Sequence, residues 1–444
     1  MRLAWRGVEL GLLLPVLLLV PLGFAITHIA LSGAFEVGPL GLAVGYVALF
    51  VAAHLVLVAF RHRGDQLLLP AVGALGGMGM IMLNRLPQDL AGTSGFGLDL
   101  GMAATQLLWF GVGLVAMLAI AIGLRDDGLL RHYKYSWAAV GIFLLVATLL
   151  IGYEVNGARL WIDLGPVSIQ PGEFLKIVLV VFLAAYLAET RTLLTSARMR
   201  IGFLSIPPLP YFLPMLVLFA IVMLMAVRLN DLGTALLFFG IFLTMLFVAT
   251  GRRSYVLIGL ILFVAGSFVA YELFGHVQSR VNVWLDPFAD PLGAGFQPVR
   301  ALYALGRGGV FGEGLRQGLV TLGGGLTIPF VHTDFIFTAI AEELGVLGAF
   351  ALLGLAAVVV FRGLRIAALA RDDFSALLAV GLSASLGLQT LIIIGGNTKL
   401  VPLTGITLPF VSYGGSSVVA SFIMVGLLLS ISHRTAIGAD EAAP

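Results

Sequence analysis

Two aspartates, each followed by proline, stand in a stretch that hydrophobicity does not explain: Trp284-Leu285-Asp286-Pro287-Phe288-Ala289-Asp290-Pro291. A carboxylate in such a place can take a proton from a hydroxyl or orient it. The residue before a proline is pushed toward extended geometry, so Asp286 and Asp290 are expected at separate rigid turns and not on one helix face. Asp-Pro pairs are also ordinary turn formers, and their surroundings carry the chemical reading. Gly293, Gly295, Gly306, Gly308, Gly309, Gly312 and Gly314, with Gly318 and Gly323 to Gly325 beyond, let backbone approach a ligand closely. Arg300, Arg307 and Arg316 offer forked donors for phosphate or carboxylate groups. An anionic substrate is the expectation, with Gln297, His332 and Thr333 adding polar groups to the same loop.

A second set sits where apolar runs end. Arg159 and Trp161 belong to Asn156-Gly157-Ala158-Arg159-Leu160-Trp161-Ile162 and serve equally well as interfacial anchors. Glu173 and Lys176, three apart at the start of an apolar helix, share a face. Ionisable groups at membrane depth are costly, so these two should pair or line a hydrophilic cavity. Arg228 and Asp231 mark another helix end. Asp334 and Glu342 are spaced to share a helical stripe while Glu343 points elsewhere; pairing with Lys399 or an arginine competes with a place on a substrate path. Lys399, Ser412 and Gly414-Gly415-Ser416-Ser417 complete the polar set. Small residues there permit tight helix packing, and exposed amides at a helix start could instead meet an anion.

The elements that must position these residues are membrane helices. Hydrophobic residues make up 60% of the 444 and charged residues 11%, too few charges to cover a water-soluble surface. Twelve apolar segments are long enough to span a bilayer: 9–31, 38–60, 69–84, 103–123, 135–153, 168–188, 210–227, 232–250, 254–273, 334–361, 374–395 and 409–432. Arg2 and Arg6 precede a first run too long for a signal peptide, so a retained helix is expected. With the N-terminus inside, cytoplasmic segments hold 16 of the 25 Lys and Arg residues, as the positive-inside rule asks. Both termini are then cytoplasmic, and loop 272–333 is extracytoplasmic. No cysteine is present, which removes thiolate metal sites and nucleophiles. A phosphate-binding loop of the ATPase type is absent, and a net charge of +2 gives no sign of nucleic acid as a partner.

Six ordered blocks resemble the SEDS family of shape, elongation, division and sporulation proteins. They are the Asn156 to Ile162 motif; Gln170-Pro171-Gly172-Glu173; Asp231-Leu232-Gly233-Thr234-Ala235; the Asp-Pro and glycine-rich loop 286–314; His332 to Phe337 with Ala341 to Gly345; and Leu408 to Ser417. The likeness covers roughly Leu69 to Ser432. It implies an all-α polytopic fold with a ten-helix core, 67–434, preceded by an additional two-helix segment, 1–66, and followed by a cytoplasmic tail, 435–444. It also implies a bacterial cytoplasmic-membrane enzyme that polymerises lipid II into glycan strands and releases undecaprenyl diphosphate.

The family's essential loop aspartate falls on Asp290, with Asp286 as a supporting residue. The resemblance implies a substrate-binding set of Arg159, Trp161, Glu173, Lys176, Asp231, Gln297, Arg307, His332, Thr333, Asp334, Lys399, Ser412 and Ser416. It implies no tightly bound cofactor, allows a divalent cation (magnesium or manganese) at Asp290, and points to a class B penicillin-binding protein as partner. Two departures stand out: Gly172 replaces the family's serine in Gln-Pro-Ser-Glu, and Leu229-Asn230 replaces its Gln-Pro. Met80 to Leu86 is more similar to rod-elongation members, which favours elongation over a division-specific role. The rival readings are a lipid-linked precursor flippase and a scaffold for wall synthesis.

Overall fold

The computed structural model describes residues 6–32, 40–86, 101–155, 157–165, 167–196, 199–201, 204–206, 209–319 and 328–441. Arg2, Asn156 and Gly323 to Gly325, singled out above, lie outside these. The chain opens with α1 (Gly7–Ser32), α2 (Gly41–Ala59), α3 (Leu68–Arg85) and α4 (Met102–Gly123). A short helix α5 (Gly128–His132) precedes α6 (Lys134–Ile151) and α7 (Pro171–Ser196). Then come α8 (Leu209–Arg228), α9 (Leu232–Thr250) and α10 (Arg253–Leu273). The long loop contributes α11 (Gly275–Leu285) and α12 (Phe296–Gly308), and α13 (Ile336–Leu369), α14 (Asp373–Asn397) and α15 (Gly415–Glu441) close the bundle.

Among the described residues, 11 helices are long and apolar enough to cross a membrane. The protein is therefore a polytopic, all-α membrane protein, with one difference from the twelve expected spans. The apolar part of α8, Pro210–Met225, is shorter than the rest, and it ends in a turn that carries Arg228. The strands were not expected either. β1 (Tyr153–Val155), β2 (Ala158–Asp163) and β3 (Ser168–Ile169) form a small antiparallel sheet between α6 and α7. Its ladder satisfies backbone groups where helical bonding stops. A second hairpin pairs β4 (Met199–Ile201) with β5 (Leu204–Ile206).

Helix α14 lies at the centre, packed against α7, α9 and α13, while α4 runs along α15. Its buried Leu378, Ala379, Leu382 and Leu386 show why a helix that is apolar all round ends up enclosed. At the edge, α10 buries only Tyr255 and turns Ile261, Val264 and Phe268 outward, as a lipid-facing helix should.

Helix α13 is broken. Gly345 sits at φ 67 and ψ −167, so the 34 residues form two helical segments. The carbonyls of Glu342 and Glu343, left without helical donors, accept the Glu313 and Gly314 amides at 3.0 Å. Beyond the break, the Val346 and Leu347 amides donate to the Gly309 and Val310 carbonyls at 3.0 and 3.2 Å. Residues 309–314, which follow α12, thus act as a strap that satisfies both ends of the interruption, the condition for irregular backbone at membrane depth. Gly312 must lack a side chain, because a Cβ there would run into the Glu343 carbonyl. The start of α13 at Ile336 changes one expectation. Asp334 precedes α13 and does not share a helical stripe with Glu342; Glu343 pairs with Arg85, which is no loop residue but the buried last residue of α3.

A polar network fastens the first two helices to the rest. Arg6 donates to the His62, Gly64 and Asp65 carbonyls and pairs with Glu9, whose other oxygen lies 2.7 Å from His54 Nδ1. Next to it, the Asp65 amide donates to Ser432 Oγ at 2.8 Å, the Arg63 amide reaches His433 Nδ1 at 2.9 Å, and the Asp65 carboxylate pairs with Arg362. The His62 and His433 rings stack with centroids 4.4 Å apart.

Candidate active site

Asp286 and Asp290 occupy the two turns between α11 and α12. Asp286 caps a short 3-10 turn, Pro287–Ala289, accepting the Phe288 amide at 3.1 Å. Asp290 does more. Its two carboxylate oxygens accept the Gly293 and Ala294 amides at 3.0 and 2.9 Å, and its carbonyl accepts the Gly295 amide at 3.0 Å. These bonds fix the carboxylate at the entrance to α12 while the side chain stays exposed. Asp290 and Asp286 line an open groove of about 610 Å³ with Gly275, Gln278 and Asn282.

Across one wall lies a second cavity of about 280 Å³. Ser279, Val283, Pro287 and Ala294 line both spaces. The second cavity holds two cations, Arg280 and Lys399, together with Gln297, Asp334 and Asn397. Arg280 Nη1 donates to the Leu403 and Thr404 carbonyls at 3.2 and 3.3 Å, and Trp284 Nε1 donates to the Lys399 carbonyl at 3.1 Å. Helix α11 is thereby pinned to the segment after α14. Asn397 Nδ2 donates to the Asp334 carbonyl at 2.8 Å and Asn397 Oδ1 accepts from Thr338 at 2.9 Å. Burial pushes the Asp334 carboxyl up from 3.8 to about 6, against the Thr333 hydrogen bond and the Arg280 charge.

The turn 332–334 is sewn to the turn before α15. Ser412 Oγ donates to the Thr333 carbonyl at 2.6 Å and accepts the Leu408 amide at 2.9 Å; the Tyr413 amide donates to the His332 carbonyl at 2.8 Å. Burial lowers the His332 pKa, so the neutral ring is favoured. A third group lies between α7, α14 and α15. Lys176 Nζ pairs with Glu173 and donates to Gln389 Oε1 at 2.7 Å. Gln389 Nε2 donates to the Thr407 carbonyl at 2.9 Å, Thr407 Oγ1 lies 2.6 Å from Ser417 Oγ, and Ser416 Oγ accepts the Gln170 amide at 3.0 Å. Asp231 caps α9 through the Thr234 amide at 3.0 Å, and burial raises its pKa.

The structure brings Gln297, Asp334 and Lys399 into one cavity and sets Asp290 beside it. It does not bring Arg159, Trp161 or Arg307 there. Arg159 is on β2, donates to the Leu149 carbonyl at 3.2 Å, and shares a separate opening with Arg228 and Asn230. Trp161, also on β2, is registered opposite Tyr153. Arg307 faces Glu313 at 3.5 Å. Sequence reasoning missed Arg280, Asn397, Gln389 and Arg85. Arg280 carried a readable signal, since it lies four residues before Trp284 on an amphipathic stretch and the pair shares a helix face.

Among the described residues, no group of three or more His, Cys, Asp or Glu is placed to hold a metal ion. Asp290, with an amide on each oxygen, would give a magnesium-like ion one carboxylate ligand, the other oxygens coming from water and substrate phosphates. The described residues thus form no all-protein cage for a divalent ion.

Comparison with known proteins covers most of the chain. The FtsW/RodA/SpoVE family model, described as cell cycle protein, matches residues 66–437, leaving α1 and α2 outside it. Peptidoglycan glycosyltransferase RodA of Mycobacterium tuberculosis is 43% identical over 396 residues, 87% of this chain and 82% of that protein. Stage V sporulation protein E of Bacillus subtilis is 39% identical over 335 residues, 74% and 87% of the two chains. Among solved structures, a chain of a peptidoglycan synthase complex superposes with a TM-score of 0.66 at 28% identity, covering 86% of this chain and 99% of that one. Rod shape determining protein RodA of Thermus thermophilus gives 0.56 at 28% identity, covering 84% and 97%. On the extent of these matches, the chain belongs to the FtsW/RodA/SpoVE family.

Proposed function

We propose that this protein is a peptidoglycan glycosyltransferase that polymerises lipid II. The observation that carries the reading is the pair of spaces sharing a wall, one with Arg280 and Lys399 and the other with Asp290. The relatives named peptidoglycan glycosyltransferase support it. In the reaction, the acceptor sugar's 4-hydroxyl attacks the anomeric carbon of the growing strand. A glycosidic C–O bond forms, the C–O bond to the lipid diphosphate breaks, and the hydroxyl proton passes to the Asp290 carboxylate. The amides on Asp290 hold it in one orientation and leave lone pairs facing the groove. Arg280 and Lys399 meet the charge growing on the departing diphosphate. The leaving group is already good, so the paired carboxylates of a glycoside hydrolase are not required.

The loop that bears Asp290 faces the extracytoplasmic side in this reading, with both termini cytoplasmic, in the bacterial cytoplasmic membrane. Residues 67–434 form the catalytic core, 1–66 an accessory pair of helices, 272–333 the catalytic loop and 435–444 the tail. A class B penicillin-binding protein is the expected partner, supported by the likeness to a synthase complex described as coordinating polymerization and crosslinking. Rod elongation is the favoured setting, given the 43% identity to a peptidoglycan glycosyltransferase RodA and the likeness to a rod shape determining protein.

The test is purified protein reconstituted in vesicles with lipid II, scored separately for glycan polymer and for lipid translocation. Polymer is expected; translocation without polymer would overturn the reading in favour of a flippase. Asp334 supplies a pH dependence. Above about 6 it is ionised and opposes an anion in the cavity, so KM for lipid II should rise between pH 5 and 7. Asp334→Asn should flatten that step. Because the shift is upward, stability from this carboxyl is complete below 3.8 and fades as pH rises through about 6. A KM that stays level in the parent protein would exclude Asp334 from the binding cavity.

A further inference from the structure

Arg85, Glu342 and Glu343 form a buried charged cluster that the reaction does not use, and it lies at the α13 break. All three are shut away from solvent. Arg85 pairs with one Glu343 oxygen, and the other accepts the Arg316 amide at 3.0 Å. Glu342 accepts the Leu319 amide at 2.7 Å. Two backbone amides just after the strap are therefore aimed at these carboxylates, while the strap's own Glu313 and Gly314 amides take the carbonyls of the same two residues. The strap continues α12 directly: the Gly312 amide donates to the Gly308 carbonyl at 2.8 Å, and Arg307 faces Glu313 across the same corner. At the other end of α12, the chain enters from the Asp290 turn, held by three amide bonds. The charged cluster and Asp290 thus anchor opposite ends of one helix of 13 residues.

We propose that Arg85 is a positioning residue for Asp290, acting through α12. By neutralising Glu343, it keeps the strap seated in the α13 break, the strap keeps the end of α12 in place, and α12 holds the Asp290 turn against the groove. Removing one partner of a buried ion pair leaves an uncompensated charge, here beside a second carboxylate. The strap is the element that can yield, because it is irregular backbone whose Phe311 side chain is 81% exposed. A displacement of about 1 Å at a reacting group can cost about 100-fold in rate.

This inference rests on Asp290 being the base, and the experiment separates the two. The chain has no cysteine, so Tyr303→Cys on α12 and Leu400→Cys near the cavity, both at exposed positions, accept spin labels without background. The distance distribution should be narrow in the parent background, broadened in Arg85→Gln, intermediate in Arg85→Lys, and narrow again in Arg85→Gln/Glu343→Gln, where two neutral amides can hydrogen-bond. In unlabelled protein, kcat per folded molecule should fall about 10- to 100-fold in Arg85→Gln with KM little changed; the double variant should recover most of it. If Arg85→Gln does not fold, Arg85→Lys and the double variant still carry the comparison. A distribution unmoved by loss of Arg85, or a double variant no narrower than the single, overturns the inference whatever the activity does. An active Asp290→Asn protein overturns the assignment of the base alone.

Discussion

Asp290→Asn is expected to lower polymer formation about 100- to 10,000-fold while the protein keeps its fold, the usual range for losing a positioned general base. The fold should survive because the side chain is exposed and mostly serves its own turn. Asparagine retains one oxygen for the Gly293 or the Ala294 amide; the other contact is lost, at about 1 kcal/mol. Asp286→Asn is the control. It keeps an oxygen for the Phe288 amide and touches only the cap of a short turn, so its rate should stay within a few-fold of the parent. The measurement is initial polymerisation rate per folded molecule, with thermal unfolding run in parallel. A rate near the parent's in Asp290→Asn would end the assignment.

The second large effect is on stability. Lys176 and Glu173 are both buried, and their pair is tied through Gln389 to Thr407 and Ser417. Lys176→Met removes the cation and leaves Glu173 without its partner, a loss of about 3 to 5 kcal/mol by analogy with other buried pairs broken on one side. The double variant Glu173→Gln/Lys176→Met removes both charges and should recover most of that loss. Thermal unfolding in detergent reads both. If Lys176→Met melts with the parent, the pair is not the structural link described.

How far these features were readable in the sequence depends on range. The apolar spans were legible because about 20 consecutive apolar residues have few alternatives to crossing a bilayer. The Glu173–Lys176 pair was legible because it is local, three residues on one helix. Arg85 was not legible because its partner, Glu343, belongs to a helix remote in sequence, and no periodicity links the two. The break at Gly345 was hidden for a related reason. A lone glycine in an apolar run looks like a weak helix position, and only the approach of residues 309–314 turns it into an interruption. The shared wall between the two cavities likewise depends on how α11 folds back onto the segment after α14, a contact made by Arg280 and Trp284 with main-chain carbonyls. Carbonyl acceptors carry no side-chain signature to read.

The network around Arg6 has a consequence for biogenesis. Its residues in α1, α2 and the following turn leave the ribosome early, yet the Arg63 and Asp65 amides donate to His433 and Ser432, near the end of the chain. The contact between the turn after α2 and the end of α15 therefore forms only once α15 has been made. A chain stalled before α15 lacks those two acceptors, so the turn after α2 is held less firmly in it than in the finished protein.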